Sequence, residues 1–192
     1  MSVIVSFLLG YLLVMRRLFN CLFISLVFMI SSLWANDGMA QSSVITTTQI
    51  KPTIDKVLVE KSKRKLYLMS GKNIIKTYNI SLGKKPVGHK AMEGDKRTPE
   101  GLYWIDWRKQ SSKFNLAMHI SYPNPRDVAQ AKKQGVSPGS MIMIHGTPID
   151  PEYPEWYFRG LNWTDGCIAM MNWDMKEVWS LVKDGTLIEI RP

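Results

Sequence analysis

The sequence predicts a mainly β fold with two short helices. Several short runs alternate between apolar and polar residues, which is the period of a half-buried strand. Clusters of Gly, Pro, Asn and Ser separate these runs and are typical of turns. Only two segments, beginning near Asn124 and Asn172, carry helix-capping signals.

The first three strands are expected to form a meander. Residues 56–61 and 65–69 alternate with period two around a short polar turn, which predicts a hairpin. A second turn leads into a third strand over 74–82. The segment 83–101 is rich in glycine and charged residues, so we expect a long loop there.

The middle of the chain predicts two more strands and the first helix. The strands are expected over 102–107 and 114–120. Asn124 is a preferred N-cap and Pro125 suits the first helical position, so a helix is expected to continue over 126–134 until a glycine ends it.

The last part of the chain carries the predicted second helix between short strands. Residues 141–144 form a continuous apolar run, which favours a buried strand. A proline-rich loop over 146–163 precedes a strand over 167–171. Asn172 is expected to cap the second helix, and a final strand covers 186–190. The expected buried face of that helix comprises Met175, Val178, Trp179 and Val182.

The N-terminal segment, 1–40, has the pattern of a secretory signal peptide. Arg16 and Arg17 precede an apolar run over 18–33, which is shorter than the roughly 20 residues that span a bilayer. We expect the natural start at Met15. An uncleaved membrane anchor is the alternative.

Three segments are therefore expected. Cleavage after Ala40 or Ala35 would remove the leader, residues 41–52 would form a Ser- and Thr-rich linker, and residues 53–192 would form one folded domain. This organisation predicts export to the periplasm or cell envelope. Contact with a membrane is expected only if the leader is retained.

The net charge of +9 favours acidic partners such as cell-wall polymers, anionic lipid or nucleic acid. Export and the lack of any nucleic-acid-binding motif argue against nucleic acid. A solvated basic surface without a specific partner is the alternative.

Cys167 is the candidate nucleophile. The other cysteine, Cys21, lies in the leader, so the mature chain would carry a lone thiol in an oxidising compartment, where an unpaired cysteine is uncommon. His145 is the candidate general base, and a carbonyl at Gly146 could orient its second nitrogen. Gly166 would allow a tight turn, and backbone N–H groups around it could hold an oxyanion. A buried inert cysteine beside a core histidine is the alternative.

The neighbours of these residues are candidates for substrate binding. Thr164 and Asp165 precede the glycine, and Trp163 and Arg159 lie in the loop between base and nucleophile. Arg159 could meet a substrate carboxylate. The loop aromatics could form a lid or a stacking surface, or they could simply pack against the core.

No metal or cofactor is expected. The histidines, His89, His119 and His145, are scattered along the chain rather than clustered as metal ligands. The segment 83–90 has the glycine spacing of a phosphate-binding loop, but His89 stands where that motif requires lysine. His119 is expected to be structural.

Two separated motifs, "MIHGTP" and "WTDGCIAM", together resemble the L,D-transpeptidase catalytic (YkuD-type) domain. The stretches "SLGKKPVGHKAMEGDKRTPEG", "ISYPNPRD" and "VSPGSMIMIHG" extend the resemblance from about Val57 to the C-terminus. The resemblance implies a β-sandwich-like fold, Cys167 as nucleophile and His145 as base. It also implies peptidoglycan stem peptides as substrate, in cell-wall biogenesis and cell shape.

Two positions depart from the family pattern. Asp165 stands where the family commonly has histidine, and Ala169 stands where it has arginine or asparagine; both resemble a Gram-negative subgroup that includes murein endopeptidase-like members. The implied reaction forms a thioester at Cys167. Its acceptor could be a stem-peptide amine, a lysine of a wall-linked lipoprotein, or water, which would make the enzyme a carboxypeptidase or endopeptidase. A non-catalytic wall-binding module is the remaining alternative.

Overall fold

The computed structural model describes residues 52–111, 113–149 and 152–192. The expectations for the leader, 1–40, and for all but the last residue of the linker, 41–52, lie outside these ranges. Among the described residues, no helix is long and apolar enough to cross a membrane.

The described residues form eight strands, two α-helices and one short 3-10 helix, Glu155–Phe158. This confirms the mainly β fold with two helices. The helices are α1 (Pro125–Lys133) and α2 (Asn172–Leu181). The strands are β1 (Lys56–Glu60), β2 (Lys65–Ser70), β3 (Asn73–Asn79), β4 (Gly101–Ser111), β5 (Asn115–Ile120), β6 (Met143–His145), β7 (Ile168–Ala169) and β8 (Thr186–Arg191).

All eight strands belong to one sheet, in the order β3-β2-β1-β8-β4-β5-β6-β7. The pairs β1–β8 and β6–β7 are parallel, and the other neighbours are antiparallel. The two edges approach each other, because Ser81, just after β3, bridges Ala169 in β7 and Gly83 bridges Thr164. The sheet is therefore curled until its edge strands nearly meet.

The curl encloses the apolar core. Alternate residues of β1 and β2 point inward, such as Val57 and Leu66, and the inner face of α2 contributes Met175 and Val178. Further core residues come from every part of the sheet: Tyr103, Ile105, Met118, Ile120, Ile144, Ile168, Ile188 and Ile190.

Helix α1 begins as the sequence predicts, whereas α2 does not. Asn124 accepts hydrogen bonds from the first turn of α1 and Asp127 completes a capping box. The N-cap of α2 is Met171 instead of Asn172. The side chain of Asn172 donates to Thr147 Oγ1 at 2.7 Å, so it ties the helix to the loop after β6 rather than capping the helix.

The ends of β3 and β4 differ most from expectation. Strand β3 ends at Asn79, and the segment after it continues only as isolated bridges to the opposite edge. Strand β4 runs to Ser111, beyond its expected end at Trp107, because its polar residues pair with β5. Apolar–polar alternation cannot indicate this extension, because residues 108–111 are all polar.

A buried lysine holds the long loop between β3 and β4 in place. Lys61 is almost completely buried, and its Nζ donates to Gly88 O at 2.7 Å, to Thr98 O at 2.9 Å and to the Glu100 carboxylate at 2.7 Å. Its three donors are therefore satisfied, as a buried ammonium group requires. The loop carries one wall of the groove at Cys167.

Candidate functional site

The paired strands β6 and β7 place His145 and Cys167 together. His145 lies opposite Ala169, and Ile144 lies opposite Ile168. Cys167 immediately precedes β7 and so lies level with Met143, two residues before His145. Because side chains alternate across a strand, the side chains of His145 and Cys167 are expected on the same face of neighbouring strands, which are about 4.8 Å apart.

The hydrogen bonding of His145 fixes its tautomer. Nδ1 lies 2.7 Å from the carbonyl oxygen of Gly146. A carbonyl oxygen only accepts, so Nδ1 must carry the proton in this bond. The neutral ring then presents Nε2 as a proton acceptor, which is the form that a general base needs.

Aromatic side chains enclose the imidazole. The ring of Phe114 lies 4.3 Å from that of His145, and Trp163 approaches edge-on at 5.5 Å. Burial lowers the pKa of His145 to about 4, although its bond to Gly146 opposes this shift; the charge of Lys113 also lowers it. The imidazole is therefore neutral at neutral pH.

This low pKa predicts an acid-sensitive fold. The unfolded chain binds the His145 proton near pH 6.5 but the folded chain only near pH 4, so stability falls as pH drops between these values. Between pH 7 and pH 4.5 the loss due to His145 is about 2 to 3 kcal/mol. Urea unfolding at both pH values should show this extra loss in the wild type and not in His145→Gln; equal losses would contradict it.

Cys167 is protonated in the resting site. Burial raises the pKa of its thiol, and a hydrogen bond to the backbone of Met143 lowers it. The negative charge of Asp165 also raises this pKa, whereas the positive charge of Lys90 lowers it. Its Sγ lies 3.8 Å from Met141 O. Both Cys167 and His145 therefore favour their neutral forms in this site.

The turn before Cys167 requires glycine. Gly166 has φ of +132°, and a Cβ there would lie 2.7 Å from Arg97 O. Its N–H donates to Thr164 Oγ1 at 3.2 Å, and that hydroxyl donates to Cys167 O at 2.7 Å. The Gly166 N–H is thus already occupied within the turn, so it does not point to an oxyanion in this conformation.

Thr164 belongs to the framework of this turn, because its side chain is buried and both of its hydrogen bonds hold the turn. Asp165, in contrast, is 75 % exposed and its carboxylate lies 3.1 Å from Lys84 Nζ.

An open groove of about 580 Å³ runs past Cys167. One wall comes from the loop between β3 and β4, and the other comes from the segment before β6 and from Asp165. Charged side chains dominate the first wall. The lining residues are Lys84, Lys90, Glu93, Gly94, Lys96, Gly139, Ser140, Met141, Ile142, Asp165 and Cys167.

Arg159 and Trp163 do not line this groove. They line a separate small cavity on the side of α2, together with Phe158 and Asp174. Trp163 instead contacts the base, as described above. Of the other loop aromatics, Trp156 is largely exposed.

Sequence reasoning missed Phe114 and the groove lysines. Phe114, just before β5, packs at a tilt against the ring of His145, and no local pattern marks such a contact. Lys90 is a buried residue whose Nζ donates to Met92 O at 3.0 Å and to Asp95 Oδ1 at 2.9 Å. A hydrophobicity pattern places lysine on the surface, so it gave no signal here.

The remaining histidines are held by structural contacts. His89 Nδ1 accepts from the N–H of Glu100, and its Nε2 lies 3.2 Å from Asp127. His119 Nδ1 lies 2.7 Å from Asp106 Oδ1, and its ring stacks on Trp107. Within 52–111, 113–149 and 152–192, no three His, Cys, Asp or Glu residues are grouped as a metal site.

Comparisons with known proteins point to one family. The model of the YkuD family, described as the L,D-transpeptidase catalytic domain, matches residues 54–190. The YafK protein of Escherichia coli K12, which carries an L,D-transpeptidase name, is 26% identical over 145 residues. That match covers 73% of this chain and 51% of YafK, so the chain spans about half the length of the curated relatives it matches.

Solved structures agree with this fold. The helical cell shape determining protein Pgp2 of Campylobacter jejuni superposes with a TM-score of 0.55 at 25% identity, covering 71% of this chain and 46% of Pgp2. Bd1075 of Bdellovibrio bacteriovorus gives a TM-score of 0.51 at 27% identity, covering 72% of this chain and 48% of Bd1075.

Proposed function

Because the chain belongs to the L,D-transpeptidase catalytic domain family, we propose that it is an exported cysteine acyltransferase acting on peptidoglycan stem peptides. Cys167 is the nucleophile and His145 is the general base. The Gly146 carbonyl orients the base in place of an acidic third residue. The enzyme works without a metal or cofactor, in remodelling the cell wall.

One observation carries this proposal: the hydrogen bond from His145 Nδ1 to Gly146 O. His145 lies on β6, which pairs with β7, and Cys167 immediately precedes β7. This bond leaves Nε2 as the basic nitrogen. The enclosing aromatic rings keep the imidazole neutral at the pH of the cell envelope. An unprotonated Nε2 on a neutral ring is the state that a general base requires.

The proposed reaction has two steps. In the first step, His145 Nε2 takes the thiol proton as Sγ attacks the carbonyl carbon of the third, diaminopimelate-type residue of a tetrapeptide stem. The C–N bond breaks, the imidazolium gives that proton to the leaving amine of D-Ala, and a thioester remains. In the second, an amine or water attacks the thioester, loses its proton to His145, and the thiol is restored with that proton.

The oxyanion of each tetrahedral intermediate needs backbone donors. Since Thr164 Oγ1 accepts from the Gly166 N–H, we assign this role to the N–H of Cys167 itself. Gly166 then acts through the turn that aims this group. Its positive φ and its close approach to Arg97 O exclude a larger residue.

The cellular setting follows from the same proposal. Residues 1–40 would direct export and residues 41–52 would link the leader to the catalytic domain at 53–192. Pgp2 is a cell shape determining protein, which supports a role for the similar domain of this chain in cell shape. A wall-linked lipoprotein remains a candidate acyl acceptor.

Digested muropeptides incubated with the purified protein test this function. New 3→3 crosslinked dimers would identify transfer to an amine, whereas tripeptides or lost crosslinks would identify transfer to water. Either product must be absent with Cys167→Ala. Unchanged muropeptides with the wild type would overturn the proposal and favour a wall-binding module.

A further inference from the structure

We propose that Asp165 binds an ammonium group carried by the acyl-donor peptide and thereby couples substrate binding to activation of the Cys167 thiol. The inference rests on the proposed function and adds the chemistry that the site recognises. That chemistry is an amino-acid head group on a side chain, with a free ammonium and a free carboxylate, as in a diaminopimelate-type residue.

The first support is the position of Asp165. It lies two residues before Cys167 and lines the same groove. Its side chain is 75 % exposed, so a ligand can reach the carboxylate. The framework holds it in place, because Thr164 donates its N–H to Leu82 O and accepts from the N–H of Lys84 at 2.9 Å.

The second support is the charge of its partner. Lys84 Nζ lies 3.1 Å from Asp165 Oδ1, and Lys84 is half exposed. An ammonium and a carboxylate side by side form the complement of an amino-acid head group, whose own two charges are inverted. The substrate ammonium would meet Asp165, and its carboxylate would meet Lys84 or Lys96, which lines the same groove.

The third support is electrostatic. Asp165 raises the pKa of the Cys167 thiol, whereas Lys90, the buried lysine of the same groove, lowers it. In the empty groove the carboxylate of Asp165 therefore opposes the negative charge that develops on sulfur and on the oxyanion. An ammonium bound to Asp165 would cancel this penalty in the complex, so a substrate with the right head group would promote its own acylation.

The coupling predicts opposite effects of one substitution on two reactions. Asp165→Asn keeps the shape of the side chain and removes its charge. Alkylation of Cys167 by iodoacetamide, which is neutral, should become faster and reach its midpoint at lower pH. Turnover of a tetrapeptide with a free side-chain amine should instead fall about tenfold or more, the scale of one charge-assisted hydrogen bond.

A matched pair of peptides tests recognition directly. The wild type should prefer the tetrapeptide with a free side-chain amine over the same peptide acetylated at that amine, and Asp165→Asn should lose the preference. Glu60→Gln is the control, because its carboxylate also pairs with a lysine, Lys63, but does not line the groove. Its preference and its alkylation rate should match the wild type.

Binding to a Cys167→Ala protein separates this inference from the proposed function. Titration with the two peptides should show tighter binding of the free amine, and this difference should disappear in Cys167→Ala/Asp165→Asn. If binding discriminates but the wild type turns over neither peptide, the catalytic proposal fails and the recognition stands. Equal binding of both peptides, or alkylation unchanged in Asp165→Asn, would overturn the inference.

Discussion

Replacing His145 with glutamine is expected to slow acylation of Cys167 by about 10²- to 10⁴-fold, the usual contribution of a general base. The thiol is protonated at rest because burial raises its pKa. Without Nε2 of His145, the thiol loses the base that we propose accepts its proton during attack. Glutamine retains a donor that can reach Gly146 O, so the loss would reflect missing basicity. Stopped-flow measurement of acylation by a carbapenem would give the rate.

A second histidine provides the control for this substitution. His119 lies on β5 and is bonded to Asp106, so His119→Gln should keep the rate within a few-fold of the wild type. As the pH is lowered, the wild-type rate should fall with a midpoint near pH 4, the pKa of His145, instead of near pH 6.5. Equal losses in both variants, or an acid limb near pH 6.5, would count against His145 as the base.

Replacing Lys61 with methionine is expected to lower the free energy of unfolding by about 3 to 5 kcal/mol. The substitution removes the cation and leaves the Glu100 carboxylate, Gly88 O and Thr98 O without their donor. Burial lowers the pKa of Lys61 and the ion pair with Glu100 opposes that shift, so the charge depends on this partner. Urea unfolding followed by circular dichroism measures the change.

Lys63 is the matched control, since it lies two residues further along the chain and pairs with Glu60 on the surface. Lys63→Met should leave the urea midpoint close to that of the wild type, because an exposed ion pair contributes little. The double variant Lys61→Met/Glu100→Gln also removes the carboxylate that has lost its partner, so it should recover part of the lost free energy of unfolding. A Lys61→Met protein as stable as Lys63→Met would show that the loop between β3 and β4 does not depend on this lysine.

Much of the fold can be predicted from local sequence signals. The alternation in β1 and β2 and the Asn124-Pro125 start of α1 each predict their element, because a strand face and a helix cap are short-range features. The closure of the sheet is not readable. It depends on single bridges, such as Ser81 to Ala169, between segments far apart in the chain.

The candidate site also contains residues that the sequence predicts and residues that it does not. Cys167 and His145 could be selected as candidates, because an unpaired thiol would be uncommon in an exported chain and a nucleophilic thiol needs a base. The roles of their neighbours could not. Thr164 holds a turn and Arg159 lies outside the groove, whereas Lys84 and Lys90 line it from a loop whose path only the folded chain defines. Spacing along the sequence does not reveal such contacts.

The most direct test of the central claim, that Cys167 is the nucleophile, is the intact mass of the protein after incubation with a carbapenem. A nucleophilic thiol attacks the β-lactam carbonyl of a carbapenem and remains acylated. We expect one adduct on the wild type and none on Cys167→Ala. An unmodified wild type, or an adduct of equal yield on Cys167→Ala, would contradict the account.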